Sequence, residues 1–251
     1  MTETAPTEPL QEPSVEKPKP ERNWRGYLKE YAIIVVGVLT ALGAQQAVET
    51  LHDRQRAAQA RDSIRSEIVR NLSYMNARKR VEACIGKKLD EVDGLIAASA
   101  AGKLPPDPIW IGLPLGLLML DGKYKAAVQS GSVSLLPTTE QGFYSGLYSE
   151  FETYWQQATL EYAAWSDLRV LEKHPPPSPI LDWQLRSAMQ KARSARWGLS
   201  VLRDIAMRDG AAIGIKPGRR EWIDPTACLP LHTARAEALK TVRDGAVDEQ
   251  P

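Results

Sequence analysis

Between Glu30 and Glu49 the chain runs for 18 residues, Tyr31 to Val48, without a formal charge. As an α-helix this run would extend about 27 Å, close to the hydrocarbon thickness of a bilayer. A helix lying on a globular surface would show a polar stripe at 3.6-residue spacing. The segment YAIIVVGVLTALGA has none. Trp24, Tyr27 and Tyr31 stand at the head of the run with Arg25 and Lys29 among them, the arrangement of an aromatic belt at a membrane interface. Gly37, Ala41 and Ala44 recur at spacings of four and three, so they share one face and would let two such helices approach closely in lipid. The segment predicts a transmembrane anchor over residues 24–48. Its expected partners are the lipid bilayer and a second copy of the same helix, met through Gly37, Ala41 and Ala44.

Two other readings compete with an anchor. The densest apolar part is 14 residues long and Gln45 and Gln46 weaken its end, so a buried helix of a soluble protein has a similar length. A cleaved signal peptide also carries an apolar run near its N-terminus, and LTALGA offers small residues that imitate a cleavage site. What precedes the run argues against cleavage. The opening MTETAPTEPLQEPSVEKPKPER holds five prolines and five glutamates, too little apolar surface to offset the entropy of ordering. Residues 1–23 are therefore expected to be a disordered tail. Basic residues are almost balanced across the run: Lys17, Lys19, Arg22, Arg25 and Lys29 before it, and Arg54, Arg56, Arg61 and Arg65 after it. Lys29 adjoins the run, which favours the N-terminus inside and the large domain outside.

The 251 residues, 43% apolar and 25% charged, suffice for one main core. With 32 basic against 31 acidic residues there is no global field to recruit a polyanion, so no nucleic-acid partner is expected.

Beyond the anchor the apolar spacing is helical. Ile64, Ile68, Leu72 and Met75 are followed, after a phase slip, by Val81, Ile85, Leu89, Val92 and Ile96. Residues 48–101 therefore form one long amphipathic stem or two helices joined end to end. AGKLPPDPIWIGLPLG ends it with four prolines and three glycines. Within the next stretch IWIGLPLGLLML is too short for a second span and contains Pro114, and GLLMLDGKYKAAVQSGS has room for a short helix. From Thr138 the order TTEQ offers a capping box, and Phe143, Leu147, Phe151, Tyr154, Ala158, Tyr162, Trp165 and Leu168 line one face. A third long helix opens near Ser178 and carries Leu181, Leu185, Met189, Ala192, Leu199, Leu202 and Ala206 to about Gly210. A short helix, HTARAEALKTVRD, follows. The expected fold is all-α: an N-terminal transmembrane helix continuing into a long amphipathic stem, with an antiparallel helical bundle of three long helices plus short ones. The bundle is expected over residues 49–245, with a flexible tail at 246–251.

Cys84 and Cys228 lie far apart without a CxxC or neighbouring histidine pattern, so they read either as two buried thiols or as a disulfide. An oxidising compartment outside the membrane favours the bridge. Chemical signatures are scarce. His52, His174 and His232 are scattered, with no HExxH, GxSxG or phosphate-binding loop. Glu150, Glu152 and Glu161 recur along one helix and read as its solvated face. GRREW, residues 218–222, pairs two arginines with a tryptophan and reads either as a loop with one buried aromatic or as a contact for an anionic headgroup or glycan. No catalytic, cofactor-binding or metal-ligating residues are expected, and the chain does not read as an enzyme.

The anchor segment YLKEYAIIVVGVLTALGAQQAVE and the later AAVQSGSVSLLPTTEQGFYSGLYSEFETY resemble an uncharacterised bacterial family of single-pass membrane proteins. The resemblance covers roughly residues 24–171, and its motifs are small and apolar residues without a chemical signature. It implies an N-terminal anchor and a helical domain of no assigned activity. The expected location is a bacterial inner membrane, with the N-terminus cytoplasmic and the helical domain periplasmic, as the basic residues around the run favour. The expected function is an interaction or scaffold protein of the envelope with an unidentified protein partner. A ligand-sensing bundle that needs a separate signalling partner is the alternative, and an envelope hydrolase a weaker one.

Overall fold

The computed structural model describes residues 24–106, 108–114, 118–218, 226–238 and 240. The tails expected at 1–23 and 246–251 lie outside them. Among the described residues every regular element is helical: α1 (Trp24–Ala100), α2 (Gly122–Gln129), α3 (Thr138–Leu168) and α4 (Pro179–Ala212). Shorter 3₁₀ turns occupy Ser132–Leu135, Arg169–Lys173 and Thr226–Cys228. The helix expected after His232 is present at residues 235–238.

The chain divides at Leu51 and His52 into two units. In the first, the described residues form a helix whose large apolar side chains are open: Ile33 is 73% and Leu39 63% exposed. This unit contains the one candidate membrane span among the described residues, an 18-residue apolar window of which nothing is buried. Thr40, inside the window, donates its hydroxyl to the Val36 carbonyl one turn back at 2.8 Å, which satisfies a donor that lipid would leave unpaired.

The second unit is a bundle of α3, α4 and α1 from His52 onward. Two apolar clusters fill it. Ile64, Ile68, Leu72 and Met75 pack with Tyr144, Leu147, Phe151 and Leu199. Val81, Ile85, Leu89 and Ile96 pack with Trp165, Leu168, Leu185 and Met189. These pairings fix the senses of the helices. Residue numbers rise together on α1 and α3 and fall on α4, so α4 is antiparallel to both while α1 and α3 run the same way. Residues 101–137, the proline-rich loop and α2, carry the chain back from the end of α1 to the start of α3. Gly210 brings α4 close to α1, because a Cβ there would lie 2.7 Å from Leu72 Cδ1.

Local chemistry explains most boundaries. Ser178 caps α4, accepting from the Leu181 amide at 3.1 Å, with Pro179 at the first helical position. The capping box expected at Thr138 does not form. Pro137 takes the cap position without a side-chain bond, and Gln141 instead donates to the Leu136 carbonyl at 2.7 Å. On α3 the expected face holds at Leu147, Phe151, Tyr154, Ala158, Trp165 and Leu168, all buried, and departs from expectation at a few positions. Phe143 and Tyr162 are 39% and 46% exposed, whereas Tyr144, Tyr148 and Glu161 are buried. The phase slip between Met75 and Val81 interrupts nothing in α1, which is one helix there; the gap in the apolar stripe is filled by Arg78, 1% exposed.

Candidate functional site

Arg78 is the centre of the polar interior. Its Nη2 donates to Glu161 Oε1 at 2.7 Å, and both side chains are buried. Glu82, one turn along α1, stands 3.9 Å from Arg78 Nε and accepts from Arg196 Nε of α4 at 2.6 Å. One chain of charges therefore crosses all three long helices. Burial pushes the Glu161 carboxyl upward and the Arg78 guanidinium opposes it. Arg78 Nε and Nη1, Glu82 Oε2, Tyr154 Oη and Trp165 Nε1 are buried without a hydrogen-bond partner among the described residues. Glu161, expected on the solvated face of its helix, is 1% exposed. It lies seven residues from both Tyr154 and Leu168, so α-helical periodicity turns it into the core.

A second carboxylate organises the return segment. Glu67, 5% exposed, accepts from the Lys123 and Tyr124 amides at 2.9 and 3.1 Å and from the Tyr148 hydroxyl at 2.6 Å. Asp121 makes no cap bond to α2, so α1 supplies the anion that satisfies those first amides. One turn on, Asn71 both donates to and accepts from Leu120, at 2.7 and 2.9 Å. Burial and the Glu67 carboxylate push the Tyr148 hydroxyl up.

The C-terminal segment is clasped against this scaffold. Cys84 and Cys228 are joined as a disulfide with Cα atoms 5.5 Å apart, inside the range the bridge requires. Lys88, 3% exposed, donates to the Leu229 carbonyl at 2.7 Å and pairs with Glu91 at 3.2 Å. Burial lowers its ammonium pKa. Thr226 Oγ1 accepts from the Leu113 amide at 2.8 Å, and the Thr226 carbonyl accepts from Trp110 Nε1 at 2.8 Å. Gly112 has a φ of 72°, and a Cβ on it would collide with the Thr226 carbonyl.

The other residues singled out in the sequence stay apart. Trp24, Tyr27 and Tyr31 are exposed on the first unit. Gly37 has open space where a Cβ would stand, and Ala41 and Ala44 are exposed. His52 and His232 are exposed. His174 adopts a left-handed backbone and places Nε2 2.9 Å from the Pro105 carbonyl. Of GRREW only Gly218 is described. Among the described residues no group of three His, Cys, Asp or Glu could hold a metal. No family model, curated protein or solved structure matches the chain.

Proposed function

We propose that the protein is anchored in a bacterial inner membrane by Tyr31 to Val48, with its N-terminus in the cytoplasm, and presents its helical domain in the periplasm as an interaction or scaffold module. The observation that carries this reading is the unpartnered apolar surface of residues 31–48, where Ile33, Ile34, Val36, Leu39 and Leu42 are each more than half exposed. Water disfavours that much open apolar surface, whereas hydrocarbon accepts it. The domain adds exposed anchors of the kind enriched at protein interfaces: Trp183 is 70% and Trp197 71% exposed on α4.

Fusions at the C-terminus test the topology. Alkaline phosphatase, active only outside the cytoplasm, is expected to be active and a fluorescent protein that matures only in the cytoplasm to be dark; the opposite pair refutes the orientation. A photo-crosslinking residue at Trp183 or Trp197 in living cells is expected to trap a discrete protein adduct. Absence of an adduct from both positions removes the interaction surface.

A further inference from the structure

A cleft of about 520 Å³ opens between residues 108–110, the end of α3 with the turn after it, and Arg235. That volume lies within the range of small-molecule sites. Its floor is apolar, formed by Ile109 and Trp110, which are 6% and 4% exposed, together with Val170. Its rim carries three cations, Arg169, Lys173 and Arg235, and one carboxylate, Glu172. That carboxylate is already committed. It accepts from the Ile111 and Gly112 amides at 3.1 and 3.2 Å, and from Arg169 Nε and Nη2 at 3.0 Å each. The Arg169 guanidinium is held there, 5.8 Å from the centroid of the Trp110 ring. Glu172 therefore neutralises Arg169 and fixes the loop, and among the described residues it leaves Lys173 and Arg235 uncompensated. Among the described residues neither has an ion pair.

We infer that this cleft binds an organic anion, a phosphate or carboxylate carried on a small apolar or aromatic body. The anionic group is met by Lys173 and Arg235 through charge-assisted hydrogen bonds, and the body lies on Ile109, Trp110 and Val170. A neutral molecule of the same shape would leave both cations unused. The chemistry is shared by two sources, a soluble organic anion and the phosphate of a lipid headgroup. The inference goes beyond the anchored-scaffold reading and needs neither its topology nor its protein partner.

Phenyl phosphate is the probe, titrated by calorimetry into the full chain reconstituted in discs of phosphatidylcholine, with phenyl glucoside as the neutral control. The expected result is saturable binding of phenyl phosphate that weakens with salt, and none of the glucoside. The K173A/R235A variant, altered at two exposed side chains, is expected to bind about tenfold more weakly or not at all. A K79A/K216A variant, which removes two exposed lysines elsewhere, keeps full affinity. Doping the discs with phosphatidylglycerol separates the sources: competition with phenyl phosphate assigns a lipid headgroup, and unchanged affinity assigns a soluble anion. Non-saturable binding, or equal loss in both double variants, overturns the site.

Discussion

Arg78 of α1 and Glu161 of α3 face each other at 2.7 Å with their side chains 2% and 1% exposed. Taking both ions out of water costs several kcal/mol each, so the pair adds little net stability, yet either ion left alone would be uncompensated. Arg78→Met or Glu161→Leu alone is expected to destabilise the bundle by about 3 kcal/mol, whereas the double variant recovers most of that loss. Denaturant titration of the four proteins checks it. Additive losses in the double variant would show that the two charges do not act as a pair.

Glu150 provides a pH dependence of known sign. Burial and its contact with Asp209 push its carboxyl from 4.5 up to about 7. The folded state therefore holds a proton that the unfolded chain has released, and this contribution to stability is present below pH 4.5 and lost as pH rises through about 7. Glu150→Gln keeps the neutral form at every pH. Relative to the native chain, the variant is expected to gain stability between these limits, by about 1 kcal/mol after allowing for solvent access. Thermal unfolding at pH 4.5 and pH 8 measures the difference; a constant difference contradicts the assignment.

Two left-handed glycines separate backbone strain from collision. Gly102 has a φ of 66° and nothing within 4 Å of a Cβ, whereas Gly112 has a φ of 72° and lies against the Thr226 carbonyl. Gly102→Ala is expected to cost about 1 kcal/mol, the strain alone. Gly112→Ala costs about 2 kcal/mol or more, because residues 226–227 must also move. Equal losses in the two variants would mean that the C-terminal segment is not seated against Gly112 in solution.

The disulfide closes a loop with a sequence separation of 144. On the chain-entropy account its removal by C84S/C228S costs about 5 kcal/mol. Maleimide labelling of unreduced, unfolded protein from native membranes is expected to find both thiols blocked. Free thiols in that sample contradict an oxidised domain.

The sequence announced long helices wherever punctuation and periodicity agreed. Pro137 and the Ser178–Pro179 pair mark the starts of α3 and α4, and the spacing of Ile64, Ile68, Leu72 and Met75 marks the buried face of α1. Buried charges were harder to read. Arg78, Glu161 and Glu67 occupy core positions that hydropathy assigns to solvent, and only a partner on another helix makes such burial tolerable. The gap between Met75 and Val81 was the visible trace of Arg78. Equally hidden was the common direction of α1 and α3, which depends on Glu67 and Asn71 holding the return segment from far along the chain. The anion cleft joins residues 108–110, 169–173 and 235, which no local motif links.

Alkaline-carbonate extraction of cell membranes, followed by intact-mass measurement of the recovered protein, bears most directly on the anchored reading. The account predicts that the uncleaved 251-residue chain stays in the membrane pellet, and that V36R/L39R, which puts two charges into the span, releases it to the supernatant. Recovery of the native chain in the supernatant, or of a chain shortened to begin after Ala44, would contradict it.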